Sequence, residues 1–184
     1  MKLIEYVWLD GENMLRSKTK IMCLDYRPSI KDIPVWNYDG SSTYQASTNK
    51  SEVFLYPSKL YPNPFCDTIE GYIVICKTSY ELCPITLAEK VFNLEQALLD
   101  QPMFGLEQEF FIMDLDTNKP VGWPLRGQPV AQGNYYCSIG SQNAYAREYL
   151  EECLSLFLKL GINVTGMNYE VAPGQAEFQV CEVG

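Results

Sequence analysis

The sequence predicts an α+β fold, because its two parts have different periodicities. Positions 1–80 contain short runs rich in β-branched and aromatic residues, separated by clusters of turn-forming residues. After Tyr80 the pattern becomes a helix, a strand, a second helix and a strand hairpin. A chain of 184 residues is long enough for one or two domains. We therefore expect a strand-rich domain at residues 1–82 and a mixed domain at residues 83–184.

The first domain is expected to contain four strands. Lys2–Leu9 and Ser17–Leu24 flank the turn-forming residues 10–13, which is typical of a hairpin. Glu52–Tyr56 and Gly71–Lys77 are two further β-like runs. Together these runs predict the strand-rich N-terminal domain.

The first helix of the second domain is expected to begin near Pro84, where Thr86 and Glu89 match a capping box. The apolar residues that recur at helical spacing are Leu87, Val91, Leu94 and Leu98. Such a stripe predicts an amphipathic helix that serves as scaffold.

The second helix is expected at about residues 143–160, with Gly161 as the residue that ends it. Its apolar stripe consists of Tyr149, Cys153, Phe157 and Leu160. Aromatic and cysteine residues at this spacing are more typical of a core face than of a ligand site.

Two acidic residues interrupt the strongly apolar, strand-like run at 104–113. Because side chains alternate along a strand, Glu107 and Glu109 are expected to share one face. Ionised carboxylates are costly to bury unless they are paired, hydrogen-bonded or bound to a metal ion. Either a cation lies against this face or the run is an ordinary edge strand with a solvated face.

A second acidic pair lies in the expected hairpin at 167–180. Pro173 and Gly174 suit the central positions of a type II turn, and a two-residue loop there would place Glu170 opposite Glu177. Like charges at a cross-strand separation of roughly 4.5–5.5 Å are destabilising. A divalent cation would make this arrangement favourable, whereas in a solvated hairpin the acids would splay apart.

Four carboxylates on two strand elements could together hold a pair of ions that prefer oxygen ligands, such as Mg²⁺ or Mn²⁺. From the residues alone, this site and the solvated alternative stay equally open. A two-metal hydrolase that cleaves phosphate esters is one class of protein with such a site.

Composition excludes several classes of function. The formal net charge of −9 and the absence of a Lys/Arg cluster argue against a nucleic-acid partner. The chain contains no histidine, which excludes serine–histidine and cysteine–histidine nucleophiles and histidine-containing zinc sites. Neither a P-loop motif nor a G-x-G-x-x-G motif occurs, so a nucleotide would have to be held in another way.

A cytoplasmic location is expected from the apolar runs and the cysteines. No uninterrupted apolar run reaches the roughly eighteen residues of a membrane span, and charges interleave with the first apolar residues, so neither a membrane partner nor a signal peptide is indicated. The seven cysteines are odd in number and include no C-x-x-C pair. This favours reduced thiols over a disulfide framework.

Five segments spread along nearly the whole chain carry recognisable motifs. They are WLDG (8–11), WNYDGSST (36–43), GLEQEF (105–110), GWPLRGQPVAQGNYYC (122–137) and NYEVAPGQAEFQV (168–180). In this order they resemble glutamine synthetase of the eukaryotic type. The resemblance implies an N-terminal β-grasp-like domain, followed by the first part of the family's catalytic domain, a curved antiparallel sheet with helices. It also implies an ATP-dependent glutamate–ammonia ligase that forms glutamine through γ-glutamyl phosphate.

The resemblance further implies roles for the four glutamates. Glu109, Glu170 and Glu177 match ligands of the Mg²⁺ or Mn²⁺ ion that orders glutamate. Glu107 matches a ligand of the ion nearer the ATP phosphates, and Glu177 is also expected near the nucleotide. Two divalent ions would neutralise the negative groups that phosphoryl transfer from ATP to a carboxylate brings together.

Four more residues receive roles from the resemblance. Residues 36–43 have the composition of a loop, and plain connectivity is the simplest role for such a loop. By resemblance, Asp39 matches the acid that helps to bind ammonium and takes its proton, and Ser42 matches a nearby polar residue of that site. Phe178 and Gln179 fall in the segment that approaches ATP in the family.

The resemblance also implies a homo-oligomeric ring. In the family, the N-terminal β domain of one subunit abuts the catalytic domain of the next, so the Asp39 loop would complete a neighbour's active site. Glutamate, ammonia and ATP are the implied small-molecule partners.

The chain departs from the family pattern in three ways. Family members continue for a long second half with a metal-binding histidine, another glutamate ligand and arginines that hold phosphate and glutamate. The family's Gly-Pro is missing after Val180, and Ala176 replaces a usual tryptophan. We therefore expect a truncated synthetase that is inactive alone. The alternative is a non-catalytic, glutamine-synthetase-like module for metal binding or assembly.

Overall fold

The computed structural model describes residues 1–91 and 94–183. The fold class is α+β, as predicted, and the chain divides into two compact units between residues 94 and 95. This division reflects compactness only, and the domain boundary expected after residue 82 stays a prediction. No helix in the described ranges is both long and apolar enough to cross a membrane.

The first unit is built on one five-stranded sheet. Its strands are β1 (Lys2–Leu9), β2 (Leu15–Met22), β3 (Trp36–Asp39), β4 (Glu52–Pro62) and β5 (Gly71–Thr78). Their order is β2-β1-β5-β4-β3, with β1 and β5 parallel and the other pairs antiparallel. This mixed sheet agrees with the expected β-grasp-like domain and confirms all four predicted strands.

One face of this sheet carries the core of the first unit. Alternate residues of β1 are fully or almost fully buried, as the period of two along a strand requires: Ile4, Tyr6 and Trp8. They pack with buried residues of β4 and β5, including Leu55, Val74 and Cys76. This packing explains why the N-terminal strand-like runs were predicted correctly.

The prediction of a loop at residues 36–43 was wrong. Trp36 to Asp39 form strand β3, which pairs with β4, and Gly40–Thr43 form a 3₁₀ turn. The turn-forming residues therefore end the strand and do not replace it. The aromatic residues before them pack on the core, and the rings of Tyr38 and Trp8 lie 4.5 Å apart between centroids.

The first predicted helix is described as two segments, α1 (Pro84–Val91) and α2 (Leu94–Asp100). Residues 92 and 93 and the side chain of Leu94 lie outside the described part. The helix starts at Pro84, where proline suits the first position, so Thr86 is not the N-cap. Of the predicted stripe, Leu87, Val91 and Leu98 are exposed, because helical spacing predicts an apolar face but not the partner that covers it.

The second unit contains a three-stranded antiparallel sheet and one longer helix. Its elements are β6 (Met103–Phe111), β7 (Met113–Asp114), β8 (Lys119–Pro120), α3 (Arg147–Leu160), β9 (Val164–Tyr169) and β10 (Gln175–Val183). β10 lies between β6 and β9, and β7 pairs separately with β8. This is the antiparallel sheet with a helix that was expected for the second half.

The face that α3 buries matches the predicted stripe only in part, because Phe157 packs on the core as predicted and Tyr149 and Cys153 do not. Leu150 is 1% exposed and Leu154 and Phe157 pack on the same core, whereas Tyr149 is 58% exposed and Cys153 is also exposed. Two apolar stripes run side by side on this helix, and contact with the sheet selects the one that begins at Leu150. The helix ends at Gly161 in the left-handed conformation, as predicted.

The core of the second unit lies between α3 and one face of its sheet. The buried members of this core are Ala144, Leu150, Tyr169, Ala176 and Phe178. Phe157 on the helix meets Phe178 edge to face, with ring centroids 5.0 Å apart. Because the helix covers this apolar face, the opposite face of the same sheet is its polar side.

Candidate functional site

Three of the predicted glutamates share the polar face of the second unit's sheet. β10 pairs with β6 so that Glu177 lies opposite Glu109 and Gln179 lies opposite Glu107. Residues directly opposite in an antiparallel pair point to the same side. The expectation that Glu107 and Glu109 share a face is therefore confirmed, and the structure adds Glu177 to that face.

Glu177 is the most enclosed acid of this face. It is 6% exposed, and its Oε1 accepts a hydrogen bond of 2.6 Å from Nε2 of Gln179. Within residues 1–91 and 94–183, no lysine or arginine forms an ion pair with it. Because a like charge on Glu109 stands directly opposite, this buried carboxylate lacks the compensation that burial of a charge normally requires.

Glu109 and Glu107 are exposed and lie along the outer strand of the sheet. Oε2 of Glu109 accepts a hydrogen bond of 2.8 Å from Nε2 of Gln175. Glu107 borders a cleft of about 570 Å³, whose lining also includes Gln179 and Cys181. The polar face therefore leads from a buried acid at its centre to an open cleft.

The prediction that Glu170 lies opposite Glu177 was wrong. The Pro173–Gly174 turn is present, since the N–H of Gln175 donates to O of Ala172 and Gly174 has a φ of +72°. However, the N–H of Glu170 donates to O of Gln175, so residues 171–174 form a four-residue loop. The longer loop shifts the register by two residues.

The corrected register places Asn168 opposite Glu177. Because a shift of two residues preserves the face, Glu170 stays on the polar side, at the end of the hairpin. Its Oε1 accepts a hydrogen bond of 3.2 Å from Nδ2 of Asn168. The amide of Asn168 thus occupies the position that the sequence prediction gave to an acid.

The chemistry of these side chains fits a divalent cation. The donors are carboxylate oxygens, which Mg²⁺ and Mn²⁺ prefer, and the opposed Glu109 and Glu177 need a positive charge between them. In the described ranges, no three acidic or cysteine side chains stand close enough together to hold an ion unaided. The four glutamates therefore form one acidic face and not a closed cluster.

Phe178 and Gln179, the neighbours expected to approach ATP, point to opposite sides of the sheet. Phe178 is 5% exposed and stacks on Phe110 with ring centroids 5.5 Å apart, so its side chain belongs to the core. Gln179 points to the acidic face, where its amide bonds Glu177. Any contact of Phe178 with a ligand on that face would have to come from its backbone.

Asp39 and Ser42 lie in the first unit, and both are exposed. Oδ1 of Asp39 accepts hydrogen bonds from Oγ of Ser41 at 2.6 Å and from the N–H of Ser41 at 2.9 Å. The Ser41 side chain and then its backbone hold the pKa of Asp39 below its usual range. Asp39 is therefore a fixed anion at neutral pH.

Sequence reasoning placed Gln179 near ATP, but it missed the hydrogen bonds by which polar side chains hold the acids. Gln175 and Gln179 alternate with Glu177 along β10, and this period of two on a known acidic strand was the available signal. Ser41 follows Asp39 at the spacing typical of a side chain that caps its own turn. Asn168 had no such signal, because its place depends on the loop length.

The loop before α3 also reaches the hairpin. Nε1 of Trp123 donates a hydrogen bond of 3.0 Å to O of Pro173, and the N–H of Cys137 donates to O of Tyr169 at 3.0 Å. A hydrogen bond with Cys137, together with the charges of nearby acids including Glu170 and Glu177, raises the pKa of Tyr136. The segment at 122–137 thus borders the acidic face.

Comparison with known proteins gives the family. The family model described as the glutamine synthetase catalytic domain matches residues 81–183. A putative glutamine synthetase of Acanthamoeba polyphaga mimivirus is 47% identical over 189 residues, which cover 98% of this chain and 52% of that protein. The glutamine synthetase cytosolic isozyme of Pinus sylvestris is 39% identical over 185 residues, covering 97% of this chain and 51% of its own.

The fold agrees with a solved structure. The cryo-electron microscopy structure of Plasmodium falciparum glutamine synthetase superposes with a TM-score of 0.63 at 15% identity, covering 97% of this chain and 40% of that one. The chain spans about half the length of the curated relatives it matches. On the family match and the extent of the sequence identity, the chain belongs to the glutamine synthetase family.

Proposed function

We propose that the protein takes part in the ATP-dependent formation of glutamine from glutamate and ammonia through γ-glutamyl phosphate. The observation that carries this proposal is the opposed pair of Glu109 and Glu177 on the polar face of β6 and β10. Its negative charge has no cationic partner among the described residues. In a member of this family, such a face suits the binding of Mg²⁺ or Mn²⁺.

The four glutamates receive separate tasks in the proposal. Glu109, Glu170 and Glu177 hold the ion that orders glutamate, with Glu177 fixed by burial and by its amide partner. Glu107, beside the open cleft, holds the ion nearer the nucleotide phosphates. Bound divalent ions would neutralise the phosphate and carboxylate oxygens during phosphoryl transfer.

ATP binding is proposed for the same cleft. Gln179 lines this cleft and Glu177 lies two residues away along β10, which supports a role for both on the nucleotide side of the site. The core position of the Phe178 side chain limits the contribution of that residue to its backbone. Cys181, at the far end of the strand, lines the cleft as well.

Ammonium binding is proposed for Asp39, with Ser42 as a neighbouring polar group. The hydrogen bonds from Ser41 favour the anionic form of Asp39, and an exposed anion attracts ammonium. Asp39 then accepts a proton from ammonium as ammonia attacks the acyl phosphate. We further propose a cytoplasmic enzyme that assembles as a homo-oligomeric ring, in keeping with a relative described as a cytosolic isozyme.

We propose that residues 1–184 alone do not catalyse the reaction. The four glutamates are candidates for metal binding and Asp39 for ammonium binding. The reaction also needs groups that clamp phosphate and glutamate. The curated relatives are about twice as long as this chain, so they have room for such groups. Removal of a phosphate-clamping arginine alone can cost roughly 10³–10⁵-fold in rate.

A chimera tests this proposal. Residues 1–184 would be assayed alone and joined to the C-terminal half of a curated relative, by measuring ADP release that depends on glutamate and ammonia. We expect activity only in the chimera, and a loss of about 10²–10³-fold on Glu177→Gln, comparable to removing a charge-stabilising group. Exposed Glu152→Gln on α3 is the matched control and should leave the rate unchanged.

Other outcomes would point to other functions. A chimera that binds Mn²⁺ but stays inactive would favour a non-catalytic binding or assembly module. Phosphate-ester cleavage without glutamate or ammonia would favour a two-metal hydrolase. Glutamine synthesis by residues 1–184 alone would contradict the proposed need for further groups.

A further inference from the structure

The carboxylates of the acidic face are linked to a set of amide side chains. Nε2 of Gln179 donates to Oε1 of Glu177 at 2.6 Å and to Oδ1 of Asn168 at 2.9 Å. Nδ2 of Asn168 donates in turn to Oε1 of Glu170 at 3.2 Å. One continuous chain of hydrogen bonds therefore joins Glu177 to Glu170, although these two acids are not opposite each other.

Asn168 is the residue that joins the two ends of this chain. It lies opposite Glu177 in the register of β9 and β10, and it uses its oxygen toward Gln179 and its nitrogen toward Glu170. An amide has one acceptor end and one donor end, so these two bonds fix the orientation of the group. A carboxylate at this position could not donate to Glu170.

Gly166 provides the space that Gln179 needs. Gln179 lies opposite Gly166, and a Cβ atom on Gly166 would stand 2.0 Å from Oε1 of Gln179. Because that atom is the far end of a flexible side chain, alanine at this position would displace the Gln179 amide and leave the backbone in place. The requirement for glycine here is one of space and not of backbone conformation.

The hydrogen bonds leave metal-binding capacity on the acids. Oε1 of Glu177 is held by Gln179, and its Oε2 accepts no hydrogen bond within the described ranges. Oε2 of Glu109 is held by Gln175, and its Oε1 is likewise without a hydrogen bond from the described residues. Each acid is thus oriented through one oxygen while the other stays available.

We propose that Asn168 is a positioning residue, which acts with Gln179 and Gly166 to orient Glu177 and Glu170 for a divalent cation. This inference rests on the proposed metal site. Mutation of the groups that hydrogen-bond metal ligands typically costs about 10- to 100-fold in metal affinity or activity. Asn168 acts on two acids at once, so its loss should fall in that range.

The test is a titration of the full chain with Mn²⁺, with free Mn²⁺ followed by electron paramagnetic resonance. We expect Asn168→Ala and Gly166→Ala to weaken binding about tenfold or more. The matched control is Asn163→Ala. Asn163 donates a 2.8 Å hydrogen bond to O of Cys181 on β10, the strand that carries Glu177, but it bonds no carboxylate in the described ranges. It should bind Mn²⁺ as tightly as wild type.

A second measurement without metal separates positioning from a general loss of structure. In nitrogen-15 NMR spectra, the side-chain amide signals of Gln179 should shift in Asn168→Ala and Gly166→Ala, but not in Asn163→Ala. Wild-type affinity in both Asn168→Ala and Gly166→Ala would overturn the inference and leave the proposed function standing. Failure of wild-type protein to bind Mn²⁺ would overturn the proposed metal site, and this inference with it.

Discussion

The two units each bury a carboxylate, and the surroundings of the two differ. Asp10 in the first unit is 1% exposed and accepts hydrogen bonds from the N–H groups of Glu12 and Met14, at 2.8 and 2.9 Å. Its other oxygen accepts a 2.8 Å bond from Nε of Arg16. The charge of Asp10 is therefore compensated by neighbours in the same hairpin, two in the turn and Arg16 on β2.

Glu177 in the second unit is 6% exposed, but it has one amide partner and a like charge on Glu109 opposite. Burial removes hydrating water from both acids. Among the described residues, only Asp10 has several donors and a cationic partner in place of that water. A buried acid with several donors and a cationic partner, as Asp10 has, supports the fold. One that lacks them, as Glu177 does, is suited to receive a cation.

The largest expected effect concerns the response to metal. Saturating Mn²⁺ should stabilise the wild-type chain, by about 2.7 kcal/mol when its concentration is 100 times the dissociation constant. The melting temperature should rise accordingly, and Glu177→Gln should abolish this rise, because it removes the negative charge of the central ligand. Asp10→Asn should keep the full rise, measured by calorimetry with and without Mn²⁺, and an equal loss in both variants would refute the distinction.

A second effect concerns acid stability of the first unit. Burial alone raises the pKa of Asp10, but hydrogen bonds from Met14, Arg16 and Glu12 outweigh it and hold the pKa below its usual range. The contribution of the Asp10 carboxylate to the free energy of unfolding is therefore fully present above the ordinary aspartate pKa near 3.9. It is lost as the pH falls through the lower pKa of Asp10 in the folded state.

Asp10→Asn tests that effect by urea unfolding at several pH values, followed through amide NMR signals of β1. The stability difference between wild type and variant should be constant at neutral pH and shrink in that acid range. A difference that grows as the pH falls would have the wrong sign for a stabilised carboxylate.

The smallest expected effect is on the metal-free second unit. Without a cation, Glu177→Gln removes the repulsion from Glu109 and should stabilise the chain by up to about 1 kcal/mol. The measurement is thermal unfolding in the presence of a chelator, with Glu152→Gln as the control. A marked loss of stability would show that Glu177, like Asp10, has a structural role of its own.

The placement of Glu107 and Glu109 on one face could be predicted, because alternation along a strand needs no knowledge of the partner strand. The register of Glu170 could not. The Pro-Gly pair correctly predicted a turn, but the pairing of Glu170 with Gln175 sets the loop length, and that length depends on how the strands meet.

The core face of α3 shows the same limit. Adjacent apolar stripes beginning at Tyr149 and Leu150 both have helical spacing, and only the neighbouring sheet decides between them. The amide partners of the acids could not be predicted from periodicity either, because hydrogen bonds such as that of Asn168 with Gln179 join different strands. Tertiary contacts therefore determined what periodicity left open.

We propose above all that Glu109 and Glu177 together bind a divalent cation. The most direct measurement is a crystal structure of the chain grown with Mn²⁺, with the ion located by its anomalous scattering. We expect a peak between the two carboxylates, with the oxygen atoms at the distance of about 2 Å that is typical of small divalent ions. Saturating Mn²⁺ with no anomalous peak between these two carboxylates would contradict the proposed site.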